Sequence, residues 1–261
     1  MEILGLIAAI VMGLVLGLVG GGGSILTVPI LVYLLGVDPV EATAYSLFVV
    51  GLSALIGSAD YIRRGLVDFK VGSIFTVPAF LGVYGVRRFG MPNIPDTIDL
   101  SVMVISKGVL ILTVFAVIML VAAYTMIRGR KETHVEENKK LNLPLIAVEG
   151  LVVGGVTGFV GAGGGFLIIP ALVVLAGLEM KVAVGTSLLI IGIKSLLGFV
   201  GDLQVLESID WALLTRFTAL SVIGIFIGAF ISRLIPGEKL KPAFGWFVLI
   251  IGGAMLIQQL M

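Results

Sequence analysis

Charge is scarce in this chain, cysteine is absent and histidine occurs once. Each shortage removes a class of function. Without cysteine there is no disulfide framework and no thiolate to act as nucleophile or metal ligand. The single histidine, His134, sits in the polar stretch Arg128–Lys140 and reads as a solvated loop residue. No Ser/His or Cys/His set, no HExxH and no pair of intramembrane aspartates is present. The sequence therefore predicts no enzyme, no metal site and no cofactor. A net charge of +1 gives no electrostatic case for nucleic acid. Only Glu2 precedes the first apolar run, so without a basic n-region no removable signal peptide is expected.

What the chain has is apolar length. It is 59% hydrophobic and 13% charged, where soluble domains run at roughly 25% charged. Apolar stretches cover 3–19, 25–36, 42–59, 71–86, 108–127, 143–160, 166–178, 182–200, 211–232 and 243–257. Several reach the ~20 residues needed to cross a ~30 Å hydrocarbon core, and none shows the polar face of a soluble helix. The bilayer is the first predicted partner. The 36 glycines suit helices packed closely in lipid.

The second feature is a repeat. Residues 13–61 align with 154–202 at a constant offset of 141, with 19 of 49 positions identical. The matches include Gly20/Gly161, Gly22/Gly163, Gly23/Gly164, Pro29/Pro170, Ser46/Ser187, Gly51/Gly192 and Gly57/Gly198. Chance likeness between apolar segments does not hold glycine, proline and serine in register. Further on, Val67-Asp68-Phe69 resembles Ile209-Asp210-Trp211. The expected organisation is a first repeat over 1–127, a cytoplasmic linker over 128–142 and a second repeat over 143–261.

Each repeat opens with an apolar arm that runs into glycine: Gly20-Gly21-Gly22-Gly23-Ser24 in one, Gly161-Ala162-Gly163-Gly164-Gly165 in the other. Each glycine costs a helix ~1 kcal/mol relative to alanine. As one helix, residues 3–36 would be about 50 Å long, too long for one crossing. Two arms joined by a turn are expected, the second short enough to re-enter. Such non-helical backbone survives at membrane depth only inside protein or beside a water-filled cavity. Freed N–H groups and a helix N-terminus there attract anions, as at the broken helices of many secondary transporters. Close helix packing is the other use of these glycines.

Charge placement gives the topology. If residues 3–36 and 143–177 each return to the side they entered from, each half crosses an odd number of times and the halves are inverted. One side then holds Arg63, Arg64, Lys70, Arg128, Arg130, Lys131, Lys139, Lys140, Lys181, Arg233, Lys239 and Lys241, and the other Arg87 and Arg88. Twelve against two is the bias of the positive-inside rule. The fold class expected is an all-α integral membrane protein of two inverted repeats. Each is a glycine-broken hairpin plus about three transmembrane helices, with both termini outside the cytoplasm.

The motifs Gly-Gly-Gly-Gly-Ser-Ile-Leu-Thr-Val-Pro (20–29) and Gly-Ala-Gly-Gly-Gly-Phe-Leu-Ile-Ile-Pro (161–170), each followed by an Ala…Ser-Leu element (Ala42…Ser46-Leu47; Ala183…Ser187-Leu188), resemble the TauE/SafE family of sulfite and organosulfonate exporters. The resemblance implies a permease in a prokaryotic inner membrane, driven by protons and carrying small sulfur-containing anions. One departure matters: the second half has Gly185-Thr186-Ser187 where the first has Ala44-Tyr45-Ser46. The two halves are therefore expected to contribute unequally.

The candidate substrate-binding residues are Gly20, Gly22, Gly23 and Ser24 at the first break, Gly163, Gly164 and Gly165 at the second, and Tyr45, Ser46, Thr186, Ser187 and Lys194 beside them. For each hydroxyl the competing use is a back-bond to its own helix; for Tyr45 it is an interfacial belt. Lys194 sits mid-segment, where a lysine costs ~3 kcal/mol, so it should face protein or a cavity. Its repeat partner is Ser53. It serves either the substrate or a structural pair, with Glu149 as its expected partner or as a proton carrier. Lys107 and Arg216 read as snorkelling near segment ends; Asp60 and Asp202 read as caps or interface residues. A passive anion channel is the alternative function, since the same dipoles and lysine would serve it.

Overall fold

A computed structural model describes residues 2–99, 104–128, 143–174, 176–203, 206, 208–232 and 237–260. The linker expected over 128–142, with His134, lies outside the described residues beyond Arg128. The chain is helical almost throughout. Helix α1 (Glu2–Val19) leads through the first break into a short arm: a 3-10 turn (Gly22–Leu26), α2 (Thr27–Pro29) and a π turn (Ile30–Leu34). Then follow α3 (Pro39–Arg63) and α4 (Phe69–Gly85), which continues through a π turn (Val86–Gly90) into α5 (Met91–Asn93). A two-stranded antiparallel ribbon, β1 (Thr97–Asp99) and β2 (Val104–Ser106), precedes α6 (Lys107–Arg128). The second half repeats the order with α7 (Leu143–Val160), α8 (Gly165–Val174), α9 (Met180–Asp202), α10 (Trp211–Ile231) and α11 (Gly237–Leu260).

Among the described residues, five helices are long and apolar enough to cross a membrane. Innermost are α3 and α9, each 72% buried over its most apolar stretch, against 33–44% for α4, α6 and α10. The outer helices present Ile3, Val77, Val121, Val148, Phe230 and Ile250, each well exposed. In water such a surface would aggregate; in lipid it is the solvent-facing side.

Glycine contacts fix how the helices run. Gly51 packs on Leu196 and Gly192 on Leu55, so α3 and α9 are antiparallel and their contact is self-complementary under the 141-residue offset. A Cβ at Gly13 would stand 2.0 Å from the Ser221 carbonyl oxygen and one at Gly17 2.3 Å from that of Ile225. The matching positions in the other half are Gly154 against Ala79, at 2.1 Å, and Gly158 against Val83. Hence α1 runs parallel to α10, and α7 to α4, each first arm docking on the other half. Gly198 against Val83 and Gly201 against Arg87 set α4 parallel to α9; Gly57 against Ile225, with Tyr45 bonded to Asp210, sets α10 parallel to α3.

Two hydrogen bonds repeat the correspondence. The Thr186 hydroxyl accepts from the Asp68 N–H at 2.9 Å and the Tyr45 hydroxyl from the Asp210 N–H at 2.8 Å. Asp68 and Asp210 in turn cap α4 and α10 by accepting from Val71 and Leu213 N–H.

These approaches make a stability prediction. Gly154→Ala drives a methyl into the Ala79 carbonyl and should cost about 1–3 kcal/mol. Gly85→Ala meets nothing within 4 Å and should be neutral or stabilising, by up to about 1 kcal/mol from helix propensity. Thermal unfolding in detergent reads both.

Candidate functional site

The two breaks meet. At the first, Gly20 (φ 68°) and Gly21 (φ 138°) turn the chain after α1; at the second, Gly161 (φ 75°), Gly163 (φ 59°) and Gly164 (φ 80°) do so after α7. These left-handed conformations suit glycine alone among ordinary residues. All residues of both breaks are buried. A Cβ on Gly165 would lie 2.3 Å from the Gly21 Cα, and one on Gly163 3.1 Å from the Ser24 Cβ. α8 begins at Gly165: the Leu167 and Ile168 N–H groups donate to the Gly164 carbonyl at 2.9 and 3.0 Å and the Gly164 N–H to that of Ala162, whereas no carbonyl takes the Gly165 N–H among the described residues.

The candidate hydroxyls divide by partner. Ser24 donates to the Gly21 carbonyl at 2.7 Å and so closes its own turn. Ser187 donates to the Gly20 carbonyl at 2.6 Å, tying α9 to the first break. Its repeat partner Ser46 is fully buried with no hydrogen-bond partner. Gly22 and Gly23 open the 3-10 turn, with Gly23 against the Leu16 backbone. Tyr45 and Thr186 cap α10 and α4, which run in opposite directions, so they sit at opposite ends of the molecule rather than together. Each still keeps its own hydroxyl proton for donation.

Positive charge gathers at the second break alone. Lys194 is fully buried, and its Nζ donates to Thr157 Oγ1 at 2.8 Å. Thr157 in turn donates to the Gly154 carbonyl, and its methyl lies against Gly164. At the other edge of the break, Gly161 packs on Thr43, whose Oγ1 accepts from Arg87 Nη1 at 3.0 Å. Arg87 is 1% exposed and also stands 3.4 Å from Asp202 Oδ1. Two buried cations thus bracket five residues, each through a threonine. The equivalent positions at the first break are Ser53 for Lys194, Leu16 for Thr157, Val184 for Thr43 and Ala229 for Arg87, all uncharged.

Some expectations move. Glu149 is not beside Lys194. It lies eight residues before Thr157 on α7, about 12 Å along the axis, half-buried, with Oε2 unpartnered. Arg87, counted above with the loop charges, is inside the protein because the π turn carries the helix past Gly85. Asp202 is its ion-pair partner, whereas Asp60 pairs with Arg64 one turn on. Lys107 donates to the Met91 carbonyl at 2.6 Å instead of only snorkelling.

The profile of the sulfite exporter TauE/SafE family matches residues 5–255. The chain belongs to that family. It is similar to a protein of Xylella fastidiosa (strain 9a5c) named "Probable membrane transporter protein", 29% identical over 246 residues that cover 92% of this chain and 88% of the relative. It is also similar to "Probable membrane transporter protein YunE" of Bacillus subtilis (strain 168), 29% identical over 272 residues, 98% and 96% of the two chains. A Methanocaldococcus jannaschii relative, "Probable membrane transporter protein MJ0441", is 31% identical over 115 residues, about two-fifths of each chain. No solved structure matches. The membership makes this a multi-pass membrane transporter, in line with the absence of a catalytic set in the sequence.

Proposed function

We propose that the protein is a secondary transporter, exporting a small sulfur-containing anion such as sulfite or an organosulfonate across a prokaryotic cytoplasmic membrane with proton coupling. The observation that carries this is the second break, where two buried cations flank glycine backbone whose N–H groups begin a helix. A buried cation with no carboxylate against it is costly in lipid, and Lys194 has none among the described residues. An anion between the breaks would repay that cost, held by Lys194, by the Gly165 N–H that opens α8 and by the spare Ser46 hydroxyl.

The helix directions support two inverted repeats. α1, α3 and α10 run one way and α4, α7 and α9 the other. The first arm and α3 share a direction, so the segment between them returns to its starting side, as a re-entrant hairpin does; α7 and α9 repeat this. Alternating access would then be a rocking of the halves about the meeting breaks. With Arg87 buried, Arg88 alone remains of the two basic residues assigned to the extracytoplasmic side.

Counterflow in proteoliposomes tests the function. Radiolabelled sulfite should exchange saturably against unlabelled sulfite and organosulfonates but not against carboxylates of similar size. A large unsaturable conductance would instead mark a channel. Topology is tested separately: single cysteines placed at the two termini, on the natural cysteine-free background, should both react from outside the cell. Labelling only from the cytoplasm would reverse the assignment.

A further inference from the structure

The Arg87–Asp202 pair is poorly satisfied for a buried ion pair. Guanidinium and carboxylate at their best form two parallel bonds of about 2.7–2.9 Å. Here a single nitrogen, Nη1, serves both Thr43 and Asp202, the latter at 3.4 Å. Arg87 Nε and Nη2 are buried without a partner, and so is Asp202 Oδ2. Three of the five guanidinium N–H donors are therefore idle in a site from which water is shut out, and together Nε and Nη2 form the fork that fits two oxygens of one oxyanion.

The surroundings give that fork a place on a route. Arg87 rises from the π turn Val86–Gly90, a feature frequent at functional sites. It packs against Gly201 of α9 and, through Thr43, against Gly161 at the edge of the second break. Because α7 runs parallel to α4, this cluster lies at the end of the molecule opposite Leu143, where the chain enters α7. The equivalent positions in the repeat, Ala229 and Tyr61, hold no ion pair, so the cluster exists once and on one side.

We propose that Arg87 and Asp202 form a proton–anion exchange station through which the transported oxyanion passes between the second break and that side of the membrane. When Asp202 takes a proton from the aqueous side, an O–H bond forms, the carboxylate charge is lost and the guanidinium is free to bind the anion through Nε and Nη2. When the anion leaves to that side, Asp202 passes the proton inward, toward the second break, and re-pairs with Arg87, so that one proton moves in as one anion moves out. One proton is bound for each anion accepted, which deepens the transport reading and rests on it. Among the described residues, the other charged or titratable groups near the pair include Tyr45, two residues from Thr43 on α3, whose hydroxyl accepts the N–H of Asp210 at the start of α10. Tyr84 and Arg88 flank the pair on α4, with the Arg88 guanidinium 5.9 Å from the Phe89 ring centre. Asp38 and Glu41 stand at the outer end of α3, where Asp38 caps Val40. Glu149 on α7 is nine residues, about 13 Å, from the Gly158 that faces Val86.

Methanesulfonate, which keeps one charge across the working pH range, is the probe, alongside sulfite. Binding to full-length protein in nanodiscs is measured by calorimetry from about pH 8 to about pH 5.5. For one proton bound per anion, wild-type affinity should tighten by up to about tenfold per pH unit of acidification. Asp202→Asn should keep the wild type's acid-end affinity at every pH, binding at least tenfold tighter than wild type at the alkaline end, and lose the pH slope. Arg87→Gln leaves Asp202 alone and risks misfolding, so the double variant Arg87→Gln/Asp202→Asn, monodisperse on gel filtration, serves as the charge-free control. It should show no pH slope and at least tenfold weaker binding than Asp202→Asn. An unchanged pH slope in Asp202→Asn, or a double variant that binds like Asp202→Asn, overturns the station while the transport reading stands. A wild-type protein that neither binds nor exchanges methanesulfonate or sulfite at any pH overturns both.

Discussion

Lys194→Met should abolish anion exchange and leave the protein as stable as before, or more so. Wild-type Lys194 holds its amino group at zero exposure with a single hydroxyl, Thr157, in reach among the described residues. A charged lysine at this depth costs ~3 kcal/mol on the insertion scale. Methionine keeps much of the side chain's length and volume and removes that cost. Thr157 does not become an orphan, because its hydroxyl still donates to the Gly154 carbonyl. Losing one partner of a buried charge contact with the substrate costs about 2–5 kcal/mol of binding, hence at least about thirtyfold in affinity. A structural lysine gives the opposite pattern: a fall in melting temperature with exchange in proportion to the folded fraction. Sites that give up stability for function commonly show the trade expected here.

The second large effect is at the crossing of the breaks. Gly165→Ala places a methyl 2.3 Å from the Gly21 Cα, backbone against new side chain, with no rotamer to relieve it. Overpacking of this kind costs about 1–3 kcal/mol, and it forces apart the two turns that would enclose the substrate. Exchange should fall tenfold or more even in material that folds. Gly253→Ala, in a helix and with nothing within 4 Å, is the control and should keep full activity. Full exchange by Gly165→Ala would mean that the breaks serve only to pack helices.

Much of this architecture was legible in sequence because the repeat preserves residues whose roles are backbone roles. Glycine at matched positions marks where chains approach or turn, and those positions became the contacts between α1 and α10 and between α7 and α4. Lys194 was legible for a different reason, since a lysine deep in an apolar run has few places to go. What stayed hidden depended on partners far apart in the chain. Arg87 looked like a loop charge because it follows Gly85 near the end of an apolar run, and only the π turn carries it inside. Nothing in the repeat flags it, as its counterpart is Ala229. Glu149 looked like a partner for Lys194 because both lie inside apolar runs of the second half, but α7 presents Thr157 at that level and Glu149 two turns away. Tyr45 and Thr186 are chemically unlike, yet each uses a hydroxyl oxygen to accept the equivalent N–H of the other half, that of Asp210 or of Asp68. The β1–β2 ribbon was missed as well; its strands are three residues long, too short to show an alternating pattern.

The transported anion should be held at the second break. Selenite, a heavy oxyanion close to sulfite in shape and charge, allows that position to be seen. After selenite exchange is established in proteoliposomes, crystals of the full-length protein grown with selenite should show one anomalous selenium peak. It should lie within hydrogen-bonding reach of the Gly163 and Gly165 backbone N–H groups and of Lys194 Nζ. A transported selenite whose only peaks lie elsewhere, with the second break and Lys194 unoccupied, would contradict the account.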